Sequence, residues 1–480
     1  MCFDGTERTG RKERDKGYRL MKLKEKNEMC NEIKTGKKVR ERNGILLILL
    51  TIFITAVFTA ASAAEKNDEG VSDEVTMEDA AGEKGWQYTI TGQYKDLFTY
   101  QKVDEYYGTG FIPSGEKGLA ANLKRLRISP EVTWGTMLLL HIDYDNEIMV
   151  SSYTGSHEFN AYWRPSEYND FLNLSWDPHY SNDLYYRMKL HRAYARLNTG
   201  DFSFTLGRQQ IRFGSGRLWN PLDILNPISP TFVEGAEEQK GTDALRADWY
   251  FTSSSELSLV VNPVLTDNRY GDMKFQNCNY VARAKTSIKE TDIALLGGWI
   301  SRRGVAGIDG ATILFDGMLR GSVLYSNPED YDYYVQASMG YEYTFGFGLY
   351  MLAEYFFNQN GMNFNADLKN AYTASLISGM SQSGYFLLAN QFLTANRHYL
   401  GFVLGYDIHP LVRDDFFIIV DFEGRAAFIN ESLKFNAMEN LDFTAGLMFA
   451  VTLGDSSKTS DFEPFTGDKF LYYLSLSLYF

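Results

Sequence analysis

The chain is poor in cysteine, proline and histidine, and after Ala63 it has no long apolar run. Only 3 cysteines occur in 480 residues, and Cys2 and Cys30 precede the single apolar run, which leaves Cys278 alone after it. One thiol forms no internal disulfide and no cysteine-based metal site, and with no cysteine just after the run a lipoprotein-type anchor is excluded. The 11 prolines are few enough to leave most of the chain free to pair in strands. The 6 histidines are scattered rather than clustered. Past Ala63 no stretch approaches the roughly 18 consecutive apolar residues of a membrane helix, which excludes a transmembrane helical bundle. No phosphate-binding or dinucleotide-type glycine loop opens a helix, and Gly-x-Ser-x-Gly does not occur. Basic charge is scarce too. Residues 1–63 hold 14 Lys/Arg and 8 Asp/Glu, so the remainder carries 33 against 53, a net of −20, which argues against nucleic acid as a partner.

What the chain has in quantity is aromatic residues and glycine: 32 Tyr, 33 Phe and 41 Gly. This mix favours strands and suits a surface that meets both lipid and water. Mean hydropathy is −0.29, as in a soluble protein, and a β-barrel reaches such a value because only alternate residues face lipid. The front of the chain reads as targeting sequence. Lys37, Lys38, Arg40 and Arg42 close a basic stretch, the apolar run spans Ile45 to Ala61, and Ala61-Ser62-Ala63 supplies a small-residue cleavage site. Residues 1–63 are therefore expected to be a leader and signal peptide, with Met21 and Met29 as further candidate starts. The alternative is an uncleaved anchor. Residues 64–85 read as an acidic, flexible lead-in, and residues 86–480 as the folded body.

That body shows period-two alternation. Phe470, Tyr472, Leu474, Leu476, Leu478 and Phe480 share one face, opposite Tyr473, Ser475 and Ser477. Leu138, Leu140, Ile142 and Tyr144 alternate with His141, Asp143 and Asp145, and Leu245, Ala247, Trp249 and Phe251 with Arg246, Asp248 and Tyr250. The first sets are expected to meet lipid and the second sets a wet lumen. Trp86, Tyr88, Trp134, Trp249 and Tyr479 lie near segment ends, as interfacial girdles require. Tight turns at 134–136, 198–200, 252–254, 289–290 and 345–348 alternate with long connections at 101–118, 151–183, 214–242, 263–278 and 359–396. The expected fold is all-β: a transmembrane antiparallel up-and-down barrel of about 18 strands, or about 16 if 311–325 is one strand.

Lumen parity gathers cations. Arg125 and Arg127 share a face on one predicted strand, Arg187, Lys189 and His191 on another, Arg283 and Lys285 on a third, and Arg246 on a fourth. Asp143, Asp145 and Asp248 alternate among them, and Asp421 and Glu423 fall on a later strand, 416–424. Two readings stand: a transverse field that guides anionic or hydroxylated solutes, or salt bridges that brace a polar interior. Arg192 shares parity with lipid-facing Met188 and Leu190, which demands a bulge or an interfacial position there.

The most distinctive segment runs Gly207-Arg208-Gln209-Gln210-Ile211-Arg212-Phe213-Gly214-Ser215-Gly216-Arg217, then LWNPLDILNP to Pro227. A glycine-rich strand end followed by two Asn-Pro turns predicts either a constriction that carries Arg208, Arg212 and Arg217 into the lumen, or an external loop whose arginines pair with Glu234, Glu237 and Glu238. This unit, with GTDALRADWYF after it, resembles the alginate export family and kindred porin-like outer-membrane proteins. So does YYVQASMGYEYTFGFGLYMLAEYFFNQNG. The resemblance covers about 190–260 and 320–360. It implies a monomeric barrel of about 18 strands whose electropositive lumen passes an anionic polysaccharide, with Arg125, Arg127, Arg187, Arg208, Arg212 and Arg246 as its candidates. The −20 body departs from that pattern, so transport carries over more readily than the solute.

The expected function is a passive outer-membrane channel for polar, anionic or saccharide solutes, using no cofactor or metal. Its expected partners are membrane lipid and, through Phe480, the barrel assembly machinery. Two alternatives are an occluded surface-binding barrel and a barrel-embedded hydrolase built on His141, Asp143 and His191.

Overall fold

The computed structural model describes residues 85–103, 118–156, 159–160, 164, 171–227, 241–264, 274–329, 331–378 and 386–480. Residues 1–84, which hold the expected leader at 1–63 and most of the expected lead-in at 64–85, lie outside the described residues. The strands are β1 Trp86–Lys102, β2 Gly118–Trp134, β3 Leu138–Val150, β4 Ser175–Tyr180, β5 Leu184–Thr199, β6 Phe202–Gln209, β7 Thr242–Thr252, β8 Ser255–Asn262, β9 Asn279–Ile288 and β10 Thr291–Ile300. They continue with β11 Arg303–Leu314, β12 Gly317–Pro328, β13 Tyr334–Thr344, β14 Tyr350–Asn358, β15 His398–His409, β16 Val412–Asp421, β17 Ala426–Met438, β18 Leu441–Thr452 and β19 Leu471–Tyr479. An α-helix, α1 Ala366–Ser378, lies between β14 and β15.

Eighteen of these strands close into an antiparallel barrel. Each pairs with its chain neighbour, except that β3 pairs directly with β5, and β1 closes the ring against β19. The even count places the first and last strand ends on the same side, beside the short turns. The ambiguity at 311–325 resolves as two strands. Phe315 and Asp316 both take left-handed backbone angles, φ 49° and 60°, the signature of a two-residue type I′ hairpin turn. Ser301 and Arg302, at φ 48° and 59°, make a second such turn, so β11 begins at Arg303 inside a stretch whose glycines read as loop.

The alternation is borne out on the wall. Ile142, Ile148, Leu245, Trp249, Leu259 and Leu474 are exposed, whereas Asp143, Asp145, Asp248, Ser258, Val260 and Tyr473 are buried. The outer surface is thus apolar and the inner surface polar, as a barrel in an outer membrane requires. Aromatic rings crowd the short-turn rim, with Trp86 and Trp134 ring centroids 5.0 Å apart and Phe202 and Trp249 5.9 Å apart. The bulge demanded by Arg192 is present. Opposite β3 the register slips so that Asp143 faces Arg192 and Tyr144 faces Leu190, which leaves His191 as the extra residue and turns Arg192 inward.

Two expected spans are corrected. The strand expected over 201–213 ends at Gln209, because the chain leaves the wall there. The outer half of β5 then pairs instead with β4, an added short strand inside the long connection 151–183. The strand expected over 416–424 is Val412–Asp421. Glu423 lies in the following turn and accepts the His398 amide at 3.0 Å. Asp421 is fully buried and holds Asn396, Ser460 and the Gly424 amide, so this acid pair fastens external loops instead of facing the cations across the pore.

Candidate functional site

After Gln209 the chain turns inward. Residues 210–227 form a strap that crosses from the β6 wall to the β14–β15 wall. Gly207 allows the departure: its φ of 122° is a glycine conformation, and a Cβ there would overlap the Ala193 carbonyl. One flank of the strap is apolar. Ile211, Phe213, Leu222, Ile224 and Leu225 pack on Val260, Val281, Leu296, Val305 and Leu324 of the inner wall from β8 to β12. Full burial of such side chains stabilises by roughly 1.5–3 kcal/mol each. The far end is held by a ring stack, Trp219 on Phe356 at 5.4 Å between centroids.

Wall residues are cut to receive it. A Cβ at Gly307 would stand 3.3 Å from the Leu222 Cγ, and one at Gly401 would collide with Leu218. Polar anchors complete the docking. The Ser215 amide and hydroxyl donate to Asp309 at 2.8 and 2.7 Å. Glu354, 1% exposed on β14, accepts the amides of Arg217, Leu218 and Trp219 at 3.0, 3.2 and 2.7 Å. Arg217 pairs with Glu342 at 3.0 and 3.2 Å, and Arg320 binds the same carboxylate at 2.6 Å. A second inward segment, 386–396, lies beside the strap. Arg303 donates to the carbonyls of Ala389 and Asn390 at 2.8 and 2.5 Å, and the Asn390 amide reaches the Leu225 carbonyl at 2.9 Å.

The cations expected in the lumen are there, and nearly all are paired. Arg125 meets Glu147 at 2.7 Å, and Arg127 binds Asp145 through two bonds of 2.6 and 2.8 Å. Lys189 meets Glu147 at 3.0 Å, and Arg187, fully buried, lies 3.5 Å from Asp177 and 4.9 Å over the Tyr185 ring. Arg208 is bidentate on Asp243 through Nε and Nη2, at 3.0 and 2.9 Å; Nη2 also donates to the Leu172 carbonyl at 2.6 Å, and Nη1 to the Leu190 carbonyl at 3.2 Å. Arg246 meets Asp248 at 2.8 Å, Arg283 meets Glu256 at 2.9 Å, and Lys285 meets Asp292 at 3.0 Å. Arg246 and Arg283 also lie over the Phe213 ring of the strap. Asp143 accepts from Ser129 at 2.6 Å and lies 3.8 Å from Arg192.

Two arginines differ. Arg212 is exposed on the strap, and its one hydrogen bond among the described residues goes to the Gly216 carbonyl at 3.4 Å. Arg196 of β5 donates to the Thr205 hydroxyl at 3.2 Å and lies over Tyr194, with no ion pair among the described residues. The acids Glu234, Glu237 and Glu238, offered above as partners for the loop arginines, lie outside the described residues. Arg217 and Arg208 find their carboxylates on the wall.

The arrangement of the described residues lends the catalytic alternative no support. His141 lies between Glu131 and Asp143, 3.1 Å from each, and the Ser129 hydroxyl donates to Asp143 instead of to an imidazole. His191 stands 3.8 Å from Asp145. Among the described residues no hydroxyl donates to His141 or His191, as a Ser-His-acid set requires.

Sequence reasoning missed Glu342, Glu354 and Asp309. All three are acids at lumen parity on strands, two of them inside the YYVQASMGYEYTFGFGLYMLAEYFFNQNG stretch. An isolated acid within an aromatic strand was the available signal.

No family model matches the chain, and no curated protein matches it in sequence. Solved structures do resemble it. OccAB1 of Acinetobacter baumannii matches with 9% identity and a TM-score of 0.48 over 82% of this chain and 96% of that one. OccK9 (OpdG) of Pseudomonas aeruginosa gives 10% and 0.49 over 82% and 98%, and a BenF-like porin from Pseudomonas fluorescens Pf-5 gives 9% and 0.48 over 82% and 98%. At these values the likeness is one of overall shape and assigns no role to any residue of this lumen.

Proposed function

We propose that the chain is a passive outer-membrane channel for small polar solutes, with a preference for anions set on the strap. The observation that carries this reading is Arg212, a guanidinium with no carboxylate partner among the described residues on a segment that crosses the lumen. Among the described residues the wall cations named above stand in ion pairs, so Arg212 and Arg196 are the cations of that set whose field no neighbouring carboxylate cancels. A solute carboxylate that sheds water finds in Arg212 a planar fork of donors. Arg125, Arg127, Arg187, Lys189, Arg208, Arg246, Arg283 and Lys285, together with Asp143 and Asp145, line or brace that path as paired charges. In this reading Arg217 serves both ends, half exposed while tied to Glu342.

The finer expectation of an exported anionic polysaccharide rests on the sequence resemblance over about 190–260. A strap docked on both walls favours a small solute over a polymer. Delivery by a signal peptide, and insertion through recognition of Phe480 by the assembly machinery, belong to the same proposal. Planar-bilayer recordings under a potassium chloride gradient test it. The expected result is a discrete conductance with an anion-side reversal potential that moves toward the cation side in Arg212→Ala. A protein that gives no conductance step and no liposome swelling with small carboxylates or sugars is not a channel, and the occluded surface-binding barrel would replace this reading.

A further inference from the structure

Outside the lumen, the long-loop end of the barrel carries a cleft of about 650 Å³ between the β12–β13 connection and the first residues after β14. Its charge is opposite in sign to that of the strap. Among the described residues four ionisable side chains line it besides the tyrosines, and two are already engaged. Glu329 is clasped by Arg302 at 2.6 and 2.9 Å. The guanidinium of Arg397 rests on the Phe364 ring, 4.1 Å from its centroid, and donates to the Gln359 carbonyl at 3.1 Å. The other two, Asp332 and Asp367, are exposed and have no ion pair or hydrogen bond among the described residues. Asp367 lies in the first turn of α1, whose end is capped by Asn365, so the helix fixes where this carboxylate stands.

Aromatic groups complete the cleft. Tyr333 is 59% exposed, with its ring 5.7 Å from that of Tyr325. Tyr334 also lines the cleft; it is 4% exposed, and its hydroxyl has no hydrogen-bond partner among the described residues. The cations at this cleft, Arg397 and Lys458, both stand over the Phe364 ring, which leaves Asp332 and Asp367 beside the tyrosines to attract an ammonium group, by charge and by the ring quadrupole together. A bare metal ion fits less well. Among the described residues no three metal-ligating side chains converge, and two exposed carboxylates do not replace a hydration shell.

We propose that this external cleft binds a ligand carrying a primary ammonium beside hydroxyl groups, the chemistry of an unacetylated amino sugar. Acetylation of the amine would remove the charge that Asp332 and Asp367 select. Isothermal titration of the detergent-solubilised full chain with glucosamine, and with N-acetylglucosamine as the uncharged control, tests this. Saturable binding of glucosamine alone is expected, weakened at least ten-fold in the Asp332→Asn/Asp367→Asn variant and several-fold in Tyr333→Ala. Both aspartates are exposed, so the variant barrel should keep its heat-modifiable migration, and its conductance should stay that of the parent. The proposal is overturned if glucosamine shows no saturable binding, if N-acetylglucosamine binds equally well, or if the double variant keeps the parental affinity. None of these outcomes depends on the channel reading.

Discussion

Replacing Glu354 by alanine should loosen the strap without dismantling the barrel. The carboxylate is buried on β14 and receives three amides from consecutive strap residues, at 2.7 to 3.2 Å. A hydrogen bond to a charged group contributes about 1.5–3 kcal/mol, but three bonds that share one acceptor are not additive, so the expected loss is about 3–5 kcal/mol. The Trp219–Phe356 stack and the apolar flank remain, which confines the damage to residues near 217–219. A loss of about 3 kcal/mol raises the open population of that segment by roughly a hundred-fold. Amide exchange at Arg217, Leu218 and Trp219 should therefore accelerate by about that factor in Glu354→Ala, and single-channel conductance should become larger and noisier. Glu354→Gln keeps one oxygen for the Leu218 and Trp219 amides but turns an NH2 toward the Arg217 N–H, so it should show about half of the free-energy loss. If Glu354→Ala exchanges and conducts like the parent, the strap is not held by this carboxylate and the reasoning fails.

Three further outcomes are expected. Arg208→Ala removes the two-bond guanidinium partner of the buried Asp243, which should cost about 3–5 kcal/mol, seen as a lower urea midpoint, while Arg208→Ala/Asp243→Asn should recover part of it. Gly216→Ala places a methyl against the Trp219 carbonyl and should shift the strap, read as an altered conductance with an unchanged thermal midpoint of the barrel. Asp461, in the loop between β18 and β19, accepts the Ala395 amide and the Tyr399 hydroxyl at 2.9 and 2.6 Å, and burial pushes its carboxyl up to about 6 despite these donors. The closed loop thus holds a proton more tightly than the opened one, whose carboxyl titrates near the usual 3.8. Its packing should strengthen as pH falls through 6 toward 4 and weaken above 6. Exchange at residues 394–396, corrected for intrinsic rates, should slow over that range in the parent and stay flat in Asp461→Asn.

The wall was legible because its signal is repeated. Each strand alternates, each turn carries its own chemistry, and a misplaced parity such as Arg192 announced the bulge at His191. The first part of β11, Arg303 to Gly310, was hidden because Gly304, Gly307 and Gly310 lower strand propensity, and pairing on both sides overrides that. Gly307 itself has a second reason: it makes room for Leu222, a contact that exists only once the strap is docked. The strap's composition was readable at Gly207–Pro227, but its destination was not, since the anchors Asp309, Glu342 and Glu354 lie far along the chain. The cation ladder was visible residue by residue. Its neutralisation was only half visible, because Asp177 and Asp243 sit at the edges of long connections where parity says nothing.

The strap also has a consequence for biogenesis. Its amide at Arg217 docks on an acid 137 positions later in the chain, so the docked state cannot exist until β14 has joined the growing sheet. A nascent sheet that lacks β14 lacks Glu354, the acceptor of the Arg217, Leu218 and Trp219 amides. Anchoring of this end of the strap is therefore tied to the step at which β14 joins, whatever the order of the other strands, and an intermediate stalled before that step would leave it loose.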